Sequence, residues 1–228
     1  MHFKINTSLL GKAQKRLSAH TKTCWILGGS GSGKTTITKA LAEKYSLPLY
    51  DMDAHIYGAY HERFDETRHP VNTAWHNAEN GMAWLLDMDW EEFNNFHQAA
   101  LPEYLDLLVE DIEKQDKDSP LLIDGGIWHP ALLAKALPIK QILCLATSEN
   151  SQEIWEGNPE RYAIRNFFES FPNPEASWQK FLDFDHRITR TVAAEAQLAG
   201  ITLLRRRKTD SVENLMTEVF KTLRPKES

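Results

Sequence analysis

Residues 28–35 read Gly28-Gly29-Ser30-Gly31-Ser32-Gly33-Lys34-Thr35, between the apolar run Cys24-Trp25-Ile26-Leu27 and the helix-compatible stretch Thr36 to Tyr45. This is the pattern G-x-x-x-x-G-K-[ST] at a strand-to-helix junction, and its chemistry follows from what a polyphosphate needs. Glycine lets backbone amides approach the oxygens without an intervening Cβ. The amides of the loop and of the first helical turn converge on one point, where they add to the helix dipole. In this pattern the backbone from Gly28 to Thr36 cradles the phosphates, Lys34 reaches the β- and γ-phosphates, and the Thr35 hydroxyl coordinates magnesium. A Gly/Ser-rich turn that binds nothing is the bland alternative. At average composition it would match the four fixed positions about once in a hundred chains of this size, and the flanking strand and helix reduce that further.

Outward from the loop, further short apolar runs fall at Leu47 to Tyr50, Leu121 to Ile123, Ile139 to Leu145 and Ile201 to Leu204. Helix-compatible stretches separate them. Strands alternating with helices imply a parallel sheet covered on both faces, with ligands at the carboxyl ends of the strands. The expected fold is α/β, a three-layer P-loop NTPase fold with a parallel five-stranded sheet and a helical insertion. Gly81 to Lys117 carries Trp84, Leu85, Trp90, Phe93, Phe96, Leu101, Leu105, Leu108 and Ile112 at roughly helical spacing, with an expected break at Leu101-Pro102. Trp75, Trp84 and Trp90 fit buried packing better than stacking on a ring-shaped substrate. Pro172-Asn173-Pro174 marks a turn before a helix from Glu175 to Ala199 that ends at Gly200.

The 228 residues, 42% hydrophobic and 25% charged, suit one domain with a substantial core. Residues 1–22 read as a mildly basic, solvated appendage, with Leu9, Leu10 and Leu17 as apolar positions of a short helix. Residues 23–228 read as the domain, with an insertion at about 58–119 and a lid at about 156–174. No run approaches a membrane span and no secretory signal is evident, so the expected location is cytoplasmic. Cys24 and Cys144 lie in strand-like runs and read as core. A net charge of −6 argues against a protein whose main role is gripping nucleic acid.

Two acidic constellations follow strands. Asp51 and Asp53 stand 17 and 19 residues after Lys34, and alternation along an extended chain would put both carboxylates on one side. One can hold magnesium or its water, while the other accepts a proton from an attacking hydroxyl. The third strand run ends in Asp124-Gly125-Gly126, where an acid can hold magnesium through water and the glycines let an acceptor approach the backbone. Solvated loop carboxylates, or a plain strand-to-loop turn, would look similar.

The stretch from Gly28 to Asp53 resembles the P-loop small-molecule kinases, a group that includes shikimate kinase, gluconate kinase and the nucleoside monophosphate kinases. The register from Lys34 to Asp51 and Asp53 is shikimate-kinase-like. Asp124-Gly125-Gly126 resembles both the glycine pair of shikimate kinase and the acid-Gly segment of uridine-kinase-like enzymes. The resemblance implies ATP and Mg2+ as cofactors. It implies transfer of the γ-phosphoryl group to a small hydroxyl compound, nucleoside or nucleotide, with Thr35 and Asp124 or Asp51 on magnesium and Asp53 on the acceptor beside Gly125 and Gly126. Arg161 and Arg165, one helical turn apart, resemble lid arginines of adenylate-kinase-like proteins that close over phosphates, as do Arg187 and Arg190 on the next helix. Arg205-Arg206-Arg207-Lys208 sits where such kinases border the adenine, although a solvated turn fits it equally. A helix starts beyond it, capped by Asp210 or Ser211. Residues 58–119 depart from shikimate kinase. Arg63 and Arg68 are the candidates for its substrate-anchoring arginine, and Gly81 to Lys117 is the expected acceptor-binding region. The donor base, the acceptor and the oligomeric state stay open. The rival from another class is a nucleotide-dependent switch or assembly ATPase acting on a protein or RNA partner; the insertion and the basic appendage favour it, the Asp-x-Asp register does not.

Overall fold

A computed structural model describes residues 3–223. Helix α1 (Thr7–Leu17) precedes strand β1 (Thr23–Gly28), and the glycine-rich loop leads from β1 into α2 (Lys34–Tyr45). Strand β2 (Leu49–Asp51) runs into a single turn, α3 (Met52–Ala54), and then a π-helical turn over His55–Ala59. Three helices fill the insertion: α4 (Pro70–His76), α5 (Gly81–Asp87) and α6 (Trp90–Ile112). After β3 (Leu121–Asp124) come α7 (Pro130–Leu133), β4 (Ile142–Thr147), α8 (Ser151–Glu156), α9 (Pro159–Phe168), α10 (Pro174–Leu198), β5 (Thr202–Arg206) and α11 (Val212–Leu223). The five strands form one parallel sheet in the order β2-β3-β1-β4-β5, with β1 in the centre. This is the three-layer P-loop arrangement, and no helix among the described residues is long and apolar enough to cross a membrane.

The strands read as near-continuous apolar runs because both faces of the sheet are covered. One face meets the larger core, which includes Trp25, Leu27, Ile123 and Cys144 together with α6 and α10. The other meets a smaller core in which Ile26, Leu143 and Leu145 pack on Ile37 and Leu41 of α2 and on Leu215, Met216 and Val219 of α11. The ends of α10 and α11 follow local rules. Gly200, at φ 69°, ends the helix that the sequence expected to stop there, and the Ser211 hydroxyl accepts from the Asn214 amide at the start of α11.

Five expectations change. The run at 139–145 begins as a 3₁₀ turn over Ile139–Gln141, and the run at 47–50 pairs only from Leu49. Pro102 does not break its helix: α6 is continuous from Trp90 to Ile112, and the interruption lies at Met88-Asp89. A proline removes one i to i−4 bond, whereas Asp89 offers a new helix start by accepting from the Glu92 amide at 2.9 Å. The described part of residues 1–22 is not a solvated appendage, because Leu10, Ala13 and Leu17 of α1 are buried in the larger core and Lys12 pairs with the buried Asp106 of α6 at 2.8 Å. Finally, the chain leaves the extended conformation at Asp51, so Asp51 and Asp53 do not share a side by alternation.

Candidate functional site

The phosphate loop bends where its sequence permits. Gly31 and Gly33 have φ of 71° and 85°, in the left-handed region that disfavours side chains, and Gly33 is the residue from which α2 starts. Helix α2 begins at Lys34 with no side-chain cap on its first amides, which leaves them for an anion. The loop is braced from two distant elements. Ser30 donates its hydroxyl to Asp185 Oδ1 of α10 at 2.5 Å, and the Arg206 guanidinium at the end of β5 donates to the Gly31 carbonyl at 2.7 Å. A hollow of about 120 Å³ beside Gly33, Thr36 and Arg206 is closed by Asp210, Ser211, Val212 and Leu215. The basic run that begins at the end of β5 therefore touches the loop through Arg206.

Beside the loop lies the Asp124-Gly125-Gly126 turn. The Gly125 amide donates to the Ile26 carbonyl at 3.1 Å, and the Trp25 indole donates to the Gly125 carbonyl at 2.9 Å, so both peptide groups of this residue are tied to β1. The Gly126 amide is left for Asp53, which accepts at 3.2 Å through Oδ1, while Asp53 Oδ2 stands 3.5 Å from Lys34 Nζ. Gly125 has φ of 64°, and a Cβ there would run into Asp53 and Lys34. Asp51 acts differently, since its side chain caps α3 by accepting from the Ala54 amide at 3.0 Å. It lies in register with Asp124 on the adjacent strand.

Asp124 is buried, and its Oδ1 has no hydrogen-bond partner. Burial pushes its carboxyl above the usual carboxylate range, against the opposing pull of Lys34 and a hydrogen bond with Thr35. A partnerless, buried carboxylate oxygen beside a threonine hydroxyl, with a second acid in register, is a donor set that suits a hard cation. Among the described residues there is no group of three or more His, Cys, Asp and Glu able to hold a metal unaided.

The same residues open onto a cavity of about 460 Å³. Gly28, Gly29, Ser30, Lys34, Asp53 and Gly126 form its polar end, and its body includes Met82, Leu85, Leu86, Phe93 and His97 from the insertion. Trp128, Trp155 and side chains of α10 complete it. The expected acceptor region therefore contributes, through the N-terminal part of α6 and through α5. Trp75, Trp84 and Trp90 pack in or against the core and do not line this cavity. Trp128 and Trp155, which sequence reasoning did not single out, do.

The arginines are elsewhere. Arg165 pairs with Glu156 at 3.4 Å and Glu175 at 2.7 Å and lies over the Trp178 ring, while Arg161 lies over Trp155. Neither lines the cavity, and Arg165 is held by structural partners. Arg187 pairs with Asp183 of its own helix. Arg63 is fixed by Asp111 at 2.9 Å and Glu110 at 3.1 Å, and Arg68 by Asp106 and Glu110, so neither reaches the cavity as a substrate anchor. Asp185 and His97 were also missed. Asp185 meets Ser30 across 155 residues of chain, and no local pattern announces such a contact.

Comparison with known proteins gives one partial likeness. The shikimate kinase family model matches residues 30–68, from inside the glycine loop past Asp51 and Asp53. No curated protein matches. A solved structure described as TT1252 from Thermus thermophilus is 21% identical and covers 90% of this chain and 100% of its own at a TM-score of 0.47, a likeness too loose to bear on function. Over the phosphate loop and the segment through Asp51 and Asp53 the chain is thus similar to the shikimate kinase family, on a five-stranded parallel sheet of the P-loop kind.

Proposed function

We propose that this chain is an ATP-dependent phosphotransferase that moves the γ-phosphoryl group to a small acceptor bound in the cavity beside the loop. The observation that carries the reading is the position of Asp53, with one oxygen toward Lys34, the other on the Gly126 amide, and the cavity in front of it. Such a carboxylate is placed to orient an acceptor hydroxyl and to take its proton as the oxygen attacks phosphorus. Lys34 and the amides from Gly28 to Thr36 would neutralise the phosphates. Thr35 and Asp124 would hold magnesium, with Asp51 alongside; when bound, the ion neutralises charge on the phosphate oxygens. The base would sit in the hollow against Arg206 and Val212. Apolar cavity walls would exclude water, so that phosphate goes to the acceptor and not to hydroxide. A cytoplasmic location accompanies this reading. The switch or assembly ATPase loses one of its supports, since the basic N-terminal segment is packed on α6.

The test is ADP release from magnesium-ATP, with and without hydroxylated acids, sugars, nucleosides and nucleoside monophosphates. Stimulation by one acceptor, lost in Asp53→Asn while nucleotide binding persists, is the expected result. Full transfer activity in Asp53→Asn would remove that residue from the mechanism.

A further inference from the structure

The cavity beside the loop is unevenly furnished. Six Phe, Trp and Tyr residues line it, Tyr57, Phe93, Trp128, Trp155, Phe181 and Phe184, together with aliphatic side chains of α5 and α10. Its charged side chains are Lys34, Asp53 and Asp185, and among the described residues Lys34 is the only lysine or arginine on its lining. In the proposed reaction Lys34 belongs to the phosphates. The cavity body therefore has no cation of its own.

Asp185 has an unused valence. Its Oδ1 accepts from Ser30, but its Oδ2 is buried and has no partner. His97 Nε2 and the Trp155 indole nitrogen are also buried without partners. Burial, with a smaller contribution from His129, pushes the His97 imidazole down to about 3, which keeps it neutral. A buried polar atom left unsatisfied is costly, so a bound molecule that completes these groups gains what their isolation now costs.

We infer that the acceptor is an uncharged or cationic molecule with a flat, apolar body, of the nucleoside or aromatic-alcohol class, that donates an N–H or O–H to Asp185. Molecules carrying a carboxylate or phosphate into the cavity are rejected. The inference rests on the phosphotransferase reading for the role of Lys34 and deepens it by naming the acceptor's chemistry. An anion placed there would face Asp185 and Asp53, with Lys34 given to the phosphates and no other lysine or arginine on the described lining, in surroundings that desolvate it. A flat ring, by contrast, meets aromatic faces, and about 460 Å³ lies within the range of small-molecule sites. Arg63 and Arg68 cannot rescue an acidic acceptor, being engaged by Asp106, Glu110 and Asp111.

The experiment is equilibrium binding, read by the fluorescence of the tryptophans on the cavity wall, using the full chain with magnesium-ADP. The probes are cytidine, adenosine and tyramine against shikimate, gluconate and cytidine monophosphate. At least one neutral or cationic aromatic probe is expected to bind tenfold or more tighter than every anionic one. Asp185→Asn is expected to weaken that probe about tenfold and to narrow its advantage over the anions, a change of selectivity that a merely structural role would not produce. If Asp185→Asn does not fold, Trp155→Leu tests the aromatic wall and should weaken the same probe. An anionic probe that binds as tightly as the aromatic ones overturns the inference, and so does failure of all three aromatic probes to bind. Aromatic binding without any phosphoryl transfer would uphold the cavity's ligand class and remove the phosphotransferase reading. Transfer to shikimate that depends on Asp53 would do the reverse.

Discussion

Replacing Gly125 by alanine perturbs the site through one methyl group, and the structure gives the size of the effect. At φ 64° a Cβ introduces left-handed strain worth about 1–2 kcal/mol. The new carbon would also stand 2.7 Å from Lys34 Cε, where ordinary contact begins at 3.4 Å, and closer still to Asp53 Oδ2. Both side chains must move by a good fraction of an ångström. That sacrifices the hydrogen bond from the Gly126 amide to Asp53, worth about 1 kcal/mol. The Lys34–Asp53 pair adds no more than about 0.5 kcal/mol, since the two side chains are 21% and 41% exposed. The total is roughly 3 kcal/mol, which in a chain of this size lowers Tm by about 6–12 °C. Misplacing Asp53 and Lys34 by this much should cost about a hundredfold in transfer rate. The assay is thermal unfolding beside ADP release, with Gly200→Ala as the control. Gly200 shares the positive φ at 69°, but a methyl added there would have nothing within 4 Å, so its substitution reports backbone strain alone. If Gly125→Ala resembles Gly200→Ala in both stability and activity, the crowding argument is wrong.

Two further predictions concern the rest of the molecule. Leu17→Ala, in a helix the sequence suggested was peripheral, should cost about 2–5 kcal/mol because Leu17 is 1% exposed in the larger core; a Tm shift under about 2 °C would show that α1 docks without contributing. His97, held down to about 3 in the folded protein against an ordinary value of 6.5, binds more protons when unfolded. Stability should therefore fall as pH drops from about 6.5 toward 3, by up to about 1.4 kcal/mol per pH unit from this residue. Urea denaturation of wild type and His97→Leu across that window should show the steeper slope in the wild type, and equal slopes would refute the assignment.

The parts of this protein that sequence reveals are those whose function is local. The glycine loop, Lys34 and Thr35 are contiguous, and Asp51, Asp53 and Asp124 each follow an apolar run that had to be a strand. Elements covered on both faces announce themselves through composition, which is why all five strands were visible. Local competition was harder to foresee. Asp51 was free to cap a helical turn, and doing so turned Asp53 toward Gly126 without any change in spacing. Likewise Pro102 looked like the break in α6, but Asp89 made the better helix start. What remained hidden was long-range. The engagement of Arg165 by Glu156 and Glu175, and of Asp185 by Ser30, depends on how α8, α9 and α10 lie across the sheet. An amphipathic helix bearing arginines reads the same whether those arginines face phosphates or carboxylates.

The strand order carries a consequence for biosynthesis. β1, which feeds the phosphate loop, has neither of its sheet neighbours close in sequence: it pairs with β3 from Thr23↔Leu121 onward and with β4 from Trp25↔Ile142. During synthesis from the N-terminus, the loop's parent strand must wait unpaired until the chain through Leu121 has left the ribosome, while α1 and the insertion emerge ahead of its partners. Closing so long a loop before any ladder bond forms is slow. The apolar run Cys24-Trp25-Ile26-Leu27 is thus the segment most exposed to misassociation in the nascent chain, and α1, whose partner α6 emerges before β3, is placed to bring β1 near its eventual position while it waits.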